Sequence, residues 1–238
     1  MGEDARISSG ELWIEQRQLV DQVVEKLRDA ITRGHFEPGQ VIRQAALADR
    51  MGVSRTPLRM ALSILTSQGL LQRNGSRGYV VAGYSYRGAL DLYKLRELVL
   101  CHVCRLAAER ITDQRLAELG RIVEESERFV EAGDWPGWLG SNEMFGGCIA
   151  RASGVPLLEQ FLETIGIQAR VFQPTLLAST GDTQARLTVA AREHRAIYDA
   201  IRARDPKAAE RAARTHVVNS RKRFEAAHRM SDRDEVAR

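Results

Sequence analysis

The stretch MGVSRTPLRMAL at residues 51–62 decides the fold of the first third of this chain. Gly52 ends one short helix that begins at Gln44, and Ser54 is a favourable N-cap for a second helix that continues to Gly69. Two short helices joined by a tight turn that contains glycine are typical of a helix-turn-helix. The stretch therefore predicts that motif.

One further helix and a hairpin flank this motif. Aliphatic residues recur at helical spacing from Ile14 to Gly34, which predicts a helix before the motif. After the motif, residues 70–73 and 79–81 have the composition of two strands, and the glycine-rich segment 74–78 lies between them. Three helices and this hairpin, which we call the wing, predict a winged helix-turn-helix domain in residues 1–83.

The second helix of the motif separates a polar face from an apolar face. In a helix-turn-helix this helix enters the major groove of DNA with its N-terminal residues foremost. Between Val41 and Gly83 six arginines stand against one acidic residue, and arginine suits forked contacts with phosphate and guanine. A solvated basic face is the alternative interpretation of this charge. We predict that double-stranded DNA is bound by Arg43, Ser54, Arg55, Thr56, Arg59 and, at the tip of the wing, Arg77.

Four motifs in this region are distinctive: Pro38-Gly39, MGVSRTPLRMAL at 51–62, QGLL at 68–71 and GSRGY at 75–79. With them, residues 14–83 closely resemble the winged helix of the GntR family of bacterial transcriptional regulators. The chain departs from the family at Gln44 and Ala45, where charged residues are common, and at Met60, which replaces a common glutamate. The first departure implies an altered operator sequence, with DNA binding itself still expected. The resemblance implies DNA contacts by Ser54, Arg55, Thr56, Arg59, Arg77 and Gly78.

Length and composition limit the class of protein. The chain has 238 residues, 44% of them hydrophobic and 28% charged, which is ordinary for one large folded domain or two modest ones. No apolar run approaches the roughly 20 residues that span a bilayer, and the acidic N-terminus lacks the order of a signal peptide. Three cysteines fit a reducing compartment. The sequence therefore predicts a cytoplasmic protein without a membrane partner.

Residues 84–238 predict a second domain that is helical throughout. The helical stretches are separated by breaks at Thr112-Asp113, 133–136, Ser153-Gly154, 178–182 and Asp205-Pro206. About six helices with short connections predict an all-α bundle. Its third helix is expected to begin at Trp138, and the charged tail after His228 is expected to fray. The predicted fold class is mainly α.

Two histidines mark a candidate ligand site between the last two helices. His194 lies eleven residues before Asp205 and His216 lies eleven residues after it, which is close to three turns at about 3.6 residues per turn. In an antiparallel hairpin the two imidazoles therefore lie at the same height, each on the apolar side of its helix. Hydrogen-bonded core histidines are the alternative interpretation. Because bundles bind ligands between facing helices, we predict a ligand site here.

Four motifs in the helical domain carry a second resemblance: LYKLRE at 92–97, ASGVPLL at 152–158, EHRAIYDAI at 193–201 and Thr215-His216. Over residues 88–228 the chain resembles the FCD effector domain that accompanies GntR-type winged helices, and six helices fit its shorter, VanR-like branch. Many members bind a divalent metal through one aspartate and three histidines, and a carboxylate effector completes the coordination. The resemblance assigns His194 and His216 to the last two histidines and Arg96 to the family's pocket arginine.

Two departures from the family's ligand set change the expected chemistry of the pocket. The aspartate position holds Asn142, and the first histidine position holds Gly146. Two imidazoles and a neutral amide are a weak donor set for Zn or Ni, which prefer three or four strong donors. Zn or Ni bound at the two histidines is therefore the alternative to a metal-free pocket. We predict that a small anionic, carboxylate-bearing effector is held by Arg96, Asn142, His194 and His216.

These features together predict a sequence-specific transcriptional regulator whose operator affinity is modulated by its effector. We expect a homodimer on an inverted repeat, because dimers place two recognition helices about one helical turn of DNA apart. One alternative is a metal-dependent enzyme that uses His194, His216 and Glu193, although the sequence has no metalloprotease, nucleophile-elbow or phosphate-loop motif. The other is a dimeric DNA-binding protein without an effector. The effector, the operator and the direction of regulation are left open.

Overall fold

The computed structural model describes residues 9–75, 78–83, 85–171 and 183–236. Arg77 and the loop predicted at 178–182 lie outside these residues. The chain divides into two compact units, an N-terminal one up to residue 84 and a C-terminal one from residue 85. In the part of the chain that is described, no helix is both long and apolar enough to cross a bilayer.

The N-terminal unit consists of three helices and a small antiparallel sheet. Its elements are α1 Ser9–Thr32, β1 Val41–Ile42, α2 Gln44–Met51, α3 Arg55–Ser67, β2 Leu71–Arg73 and β3 Tyr79–Val81. The strand order is β1-β3-β2, with Val80 opposite both Val41 and Gln72. The predicted winged helix-turn-helix is confirmed. β1 was not predicted, because a strand of two residues carries no alternation that a sequence pattern could show.

Local signals explain the turn between α2 and α3. Gly52 follows α2 with a φ of +66°, in the left-handed region that favours glycine. Ser54 is the N-cap of α3 as predicted, with an extended backbone; its side chain makes no capping hydrogen bond, and the residue is exposed. α3 packs on α1. The apolar residues of α3 are buried as predicted: Leu58, Ala61, Leu62 and Leu65.

The C-terminal unit is helical throughout the residues described. Its elements are α4 Tyr86–Arg110, α5 Asp113–Ala132, α6 Trp135–Ala152, α7 Pro156–Arg170, α8 Thr183–Arg202 and α9 Pro206–Val236. α9 packs on α4 and α8, α5 packs on α6 and α8, and α4 also contacts α6, α7 and α8. The predicted mainly α fold is confirmed, and the central contacts of α4, α8 and α9 bring the candidate ligand residues into the core.

Two side-chain caps set the starts of α5 and α9, at positions that were predicted as breaks. The Thr112 hydroxyl and the Asp205 carboxylate each accept the backbone N–H of the residue three positions further on. At its other end α9 continues to Val236, so the prediction that the chain frays after His228 is wrong. Neither glycine nor proline interrupts this tail, and its arginine, methionine and glutamate residues are good helix formers.

α6 begins at Trp135, three residues before the predicted start at Trp138. The Asp134 side chain accepts the backbone N–H of Gly137 at 3.0 Å. Pro136 occupies the first turn, where its missing N–H costs nothing. The segment that was predicted as a break is therefore the N-terminal cap of α6.

Candidate functional site

The polar start of α3 lies on the surface of the N-terminal unit. Ser54, Arg55, Thr56 and Arg59 are exposed, whereas Leu58 beside them is completely buried. The helix therefore holds one face in the core and presents the four residues predicted to contact DNA to solvent.

The arginines of this surface keep an uncompensated charge. Arg43, Arg55 and Arg59 are exposed, and none of their side chains forms an ion pair or a hydrogen bond with any residue that the structure describes. Unpaired cations attract a phosphate backbone and release its counterions on binding. The surface is thus suited to a polyanion.

The wing contains a turn that requires glycine. The N–H of Asn74 donates to the carbonyl of Gly78 at 2.9 Å, and Gly78 has a φ of +92°, a conformation that other residues rarely adopt. A Cβ atom at this position would also lie 3.2 Å from Nε2 of Gln44. Gly78 therefore shapes the wing through its backbone, and any contact that it makes with DNA is through the main chain.

A groove lies between α3 and the strands of the wing. Its lining includes Arg59, Ser63, Arg73 and Tyr79, and the Arg73 guanidinium stands over the Tyr79 ring at 5.9 Å from the centroid. Arg73 is one of the six arginines between Val41 and Gly83, but it is not among the predicted DNA contacts. Its place at the end of the first wing strand was the available signal, and the structure puts it on the same groove as Arg59.

His194 of α8 and His216 of α9 face each other inside the C-terminal unit. Their ring centroids are 4.9 Å apart, with 52° between the ring planes, and their exposed fractions are only 1% and 5%. The prediction that the two imidazoles lie at the same height is confirmed. Burial lowers the pKa of both rings, so both are neutral at pH 7.

Arg96 of α4 lies near both histidines. After burial and other neighbours, its positive charge further lowers the pKa of His194 and of His216. Its Nε is buried without a hydrogen-bond partner among the described residues, and none of their carboxylates pairs with it. The guanidinium stays charged in proteins. Because a buried charge needs an opposite partner, this position favours an anionic ligand.

Glu193 supplies the carboxylate of this cluster. Its Oε1 accepts hydrogen bonds from Asn219 at 2.9 Å and Arg223 at 3.1 Å, and its Oε2 lies 2.9 Å from His216 Nδ1 and 3.1 Å from a second nitrogen of Arg223. Burial alone raises the pKa of Glu193, but the hydrogen bonds from His216 and Arg223 outweigh it and lower the pKa to about 2. Arg223 matches the charge of Glu193, so the charge of Arg96 is in excess.

α6 supplies an aromatic wall beside His194. The Phe145 ring stacks on the imidazole with 4.2 Å between centroids, and Trp138 lies parallel to it at 6.2 Å. Asn142 precedes Phe145 by three residues, on the same side of the helix. It is half-buried and makes no hydrogen bond with the other predicted pocket residues. A Cβ atom at Gly146 would meet nothing within 4 Å, so this part of α6 borders open space.

The residues of this cluster do not fit the divalent metal that the family resemblance implies. Across the described ranges, no three histidine, cysteine, aspartate or glutamate side chains come together as a metal site. Asn142 offers only a neutral amide, Gly146 offers no side-chain donor, and Arg96 adds a positive charge. Zn sites use at least three strong protein donors, and this donor set has two imidazoles.

The structure adds three residues to the predicted pocket. Asn219 and Arg223 were missed, and Glu193 was considered only as part of an enzyme site. A signal was present, because Asn219 and Arg223 follow His216 by three and seven residues and therefore share its face of α9. Of the predicted residues, Arg96, His194 and His216 are brought together, and Asn142 lies on the adjoining helix without a direct contact.

Family models match both units of the chain. Residues 19–81 match the model of bacterial regulatory proteins, gntR family. Residues 91–219 match the FCD domain, and this second match covers more than half of the chain.

Similar proteins match over most of their length. The Uncharacterized HTH-type transcriptional regulator YdhC of Bacillus subtilis (strain 168) is 26% identical over 196 residues, which are 82% of this chain and 86% of the relative. The Galactonate operon transcriptional repressor of Escherichia coli (strain K12) is 27% identical over 225 residues, 86% of this chain and 96% of the relative. The solved structure of E. coli McbR/YncC superposes with a TM-score of 0.78 at 23% identity, over 88% of this chain and 98% of that chain. At that identity the superposition shows a shared fold.

Proposed function

The chain belongs to the GntR family of bacterial regulatory proteins and carries an FCD domain after its winged helix, and from this premise we propose its function. A homodimer binds an inverted-repeat operator. Its affinity for the operator changes when a small carboxylate binds beside Arg96. The protein is a DNA-binding transcriptional regulator and not an enzyme, since its family and its relatives are regulators. We place its action in the cytoplasm, where the operator lies.

We assign DNA contacts to the polar start of α3 and to the wing. Arg55 and Arg59 support this assignment best, because they are exposed and have no described partner within the protein. Arginine at these positions suits forked contacts with guanine and phosphate. The remaining assigned contacts are Arg43, Ser54, Thr56, Arg77 and the main chain of Gly78.

We assign the dimer interface to the outer surface of α4 and α7. These two helices pack on each other, and both carry large apolar side chains that are exposed: Leu95, Leu98, Leu157 and Phe161. Exposed apolar groups on neighbouring helices mark interaction surfaces. A second copy is the occupant that an inverted repeat requires, because two recognition helices must lie about one helical turn of DNA apart.

The excess charge of Arg96 carries the proposal of an anionic effector. Arg96 and Arg223 are two cations against the single carboxylate of Glu193, and Arg223 is already paired with it. A ligand carboxylate would pair with Arg96 and contact His194 and His216, with Asn142 on the adjoining wall. A charge-assisted pair with arginine is among the stronger hydrogen bonds in proteins.

We propose that this pocket works without a metal. A ligand carboxylate that pairs with Arg96 needs no metal to neutralise it, and the two imidazoles with a neutral amide form a weak donor set. The placement of the chain in the shorter, VanR-like branch stays a prediction.

A thermal-shift screen with small organic acids tests the effector site. A ligand that binds only the folded protein at 100 times its Kd adds about 2.7 kcal/mol to stability. We expect at least one acid to raise the Tm of the wild type and of Arg105→Ala, a control on α4 whose exposed side chain pairs with Glu109. Arg96→Ala should lose the shift. An equal shift in Arg96→Ala would contradict the site.

Measurements on the same purified protein also test the two alternative interpretations. If no acid shifts the Tm and the purified dimer still binds its operator, the bundle serves dimerisation alone. Elemental analysis that found one Zn or Ni per subunit after dialysis, lost on mutation of His194 or His216, would contradict the metal-free pocket.

A further inference from the structure

The hydrogen bonds around Glu193 determine which ring nitrogen of His216 carries the proton. The consequence for the ligand rests on the effector pocket proposed above. We propose that Glu193 fixes His216 as a hydrogen-bond acceptor toward the pocket, so that the pocket selects a carboxylate that also carries a hydroxyl group. Glu193 is a positioning residue in this scheme, because it acts on the ligand through His216.

The geometry places the proton of His216. A neutral imidazole has one N–H donor and one acceptor nitrogen, and an ionised carboxylate can only accept. His216 Nδ1 lies 2.9 Å from Glu193 Oε2, so Nδ1 carries the proton and donates it. Nε2 is then left as an acceptor.

Glu193 is itself held in the ionised form that this tautomer requires. Arg223 donates to both carboxylate oxygens at 3.1 Å, and Asn219 donates to Oε1 at 2.9 Å. A neutral carboxylic acid could turn its O–H toward Nδ1 and reverse the tautomer. Two nitrogens of Arg223 and one of Asn219 donate to the carboxylate, which favours its ionised form and disfavours the acid that would reverse the tautomer. His216 Nε2 is therefore a fixed acceptor of the pocket.

The polar groups that remain define the ligand. No described residue donates a hydrogen bond to His216 Nε2. Two nitrogens of the neighbouring side chains, His194 Nδ1 and Arg96 Nε, are buried and have no partner among these residues. Arg96 suits the carboxylate, so His216 Nε2 needs a donor from another part of the ligand. A hydroxyl supplies that donor without charge, whereas an ammonium group would meet the excess positive charge of the site.

Pairs of acids that differ by one hydroxyl test this selection. Isothermal titration calorimetry on the full-length protein would compare lactate with propionate, malate with succinate, and 3-hydroxybutyrate with butyrate. Because a bound acid without a hydroxyl would displace water from His216 Nε2 and leave this acceptor unpaired, we expect the hydroxy acid of any pair that binds to be favoured on the order of 10-fold. Equal affinity within the pairs would overturn the inference.

Glu193→Gln separates positioning from packing. Its carboxamide can donate to Nδ1, which moves the imidazole proton to Nε2, so the preference for the hydroxy acid should vanish while binding through Arg96 remains. Glu127→Gln is the matched control, because its carboxylate pairs with Arg195 instead, and it should keep the preference. If Glu193→Gln does not fold, the tautomer of His216 in the wild type tests the inference instead.

NMR reads the tautomer without any ligand. Two-bond ¹H–¹⁵N correlation spectra of the wild type, with His216→Gln to assign the signals, should show the proton on Nδ1. A proton on Nε2 would overturn the inference even if none of the acid pairs binds. Failure of the effector site itself is recognised separately, by acids that bind Arg96→Ala as tightly as the wild type.

Discussion

Replacement of Arg55 and Arg59 by alanine should remove DNA affinity while the folded state stays intact. Both side chains are exposed and make no hydrogen bond or ion pair with any residue described, so truncation breaks no polar interaction among these residues. Loss of an arginine that reads DNA costs about 1–3 kcal/mol, which is about 5- to 150-fold in Kd because 1.4 kcal/mol is tenfold. The two residues are one helical turn apart, so the double variant need not show the sum.

Fluorescence anisotropy on an operator selected from random DNA measures this loss, with a scrambled duplex beside it. Arg33→Ala is the matched control, because Arg33 is exposed at the end of α1 and, among the residues described, its side chain pairs only with Asp29; it should bind as the wild type does. The thermal melting of all variants should agree with that of the wild type. A double variant of Arg55 and Arg59 that bound the operator with wild-type affinity would show that α3 is not the recognition helix.

Three further outcomes are expected. Arg77→Ala should weaken binding less than Arg55→Ala, and evenly on operator and scrambled duplexes, because the wing approaches the backbone; a loss confined to the operator would contradict this. Leu98→Glu should give a monomer in light scattering, because it puts a charge into the proposed dimer interface at a side chain that is 69% exposed on α4; a persistent dimer would place the interface elsewhere. The variant Asn142→Asp/Gly146→His should retain about one Zn or Ni per subunit after dialysis, since it restores four donors; elemental analysis that found no more metal than in the wild type would refute this.

The N-terminal unit could be predicted closely because its signals are local. Gly52 ends α2 and Ser54 precedes α3, so the signals for the turn and for the start of α3 lie only two positions apart in the sequence. The same locality explains the errors. Whether Asp134 starts α6 or ends α5 depends on which neighbouring N–H it finds.

The pocket could be predicted only in part, because its chemistry depends on distant residues. The matched spacing of His194 and His216 around the connection at Asp205 was enough to place the two rings together. Glu193 was harder, since its partners His216 and Arg223 follow 23 and 30 residues later in the chain. A buried carboxylate is recognisable from sequence only when the donors that hold it ionised are known to share its helix face or the opposing one.

The most direct test of the account is the operator affinity of the wild type and of Arg96→Ala, measured by anisotropy with and without an acid identified in the thermal-shift screen. Binding sites that are coupled change each other's affinity, and such coupling is typically about 5- to 150-fold. We expect the acid to change the operator Kd of the wild type and of Arg105→Ala. Arg96→Ala should bind the free operator like the wild type and show no change with the acid. An equal response in Arg96→Ala, or an acid that binds the wild type without changing operator affinity, would contradict the account.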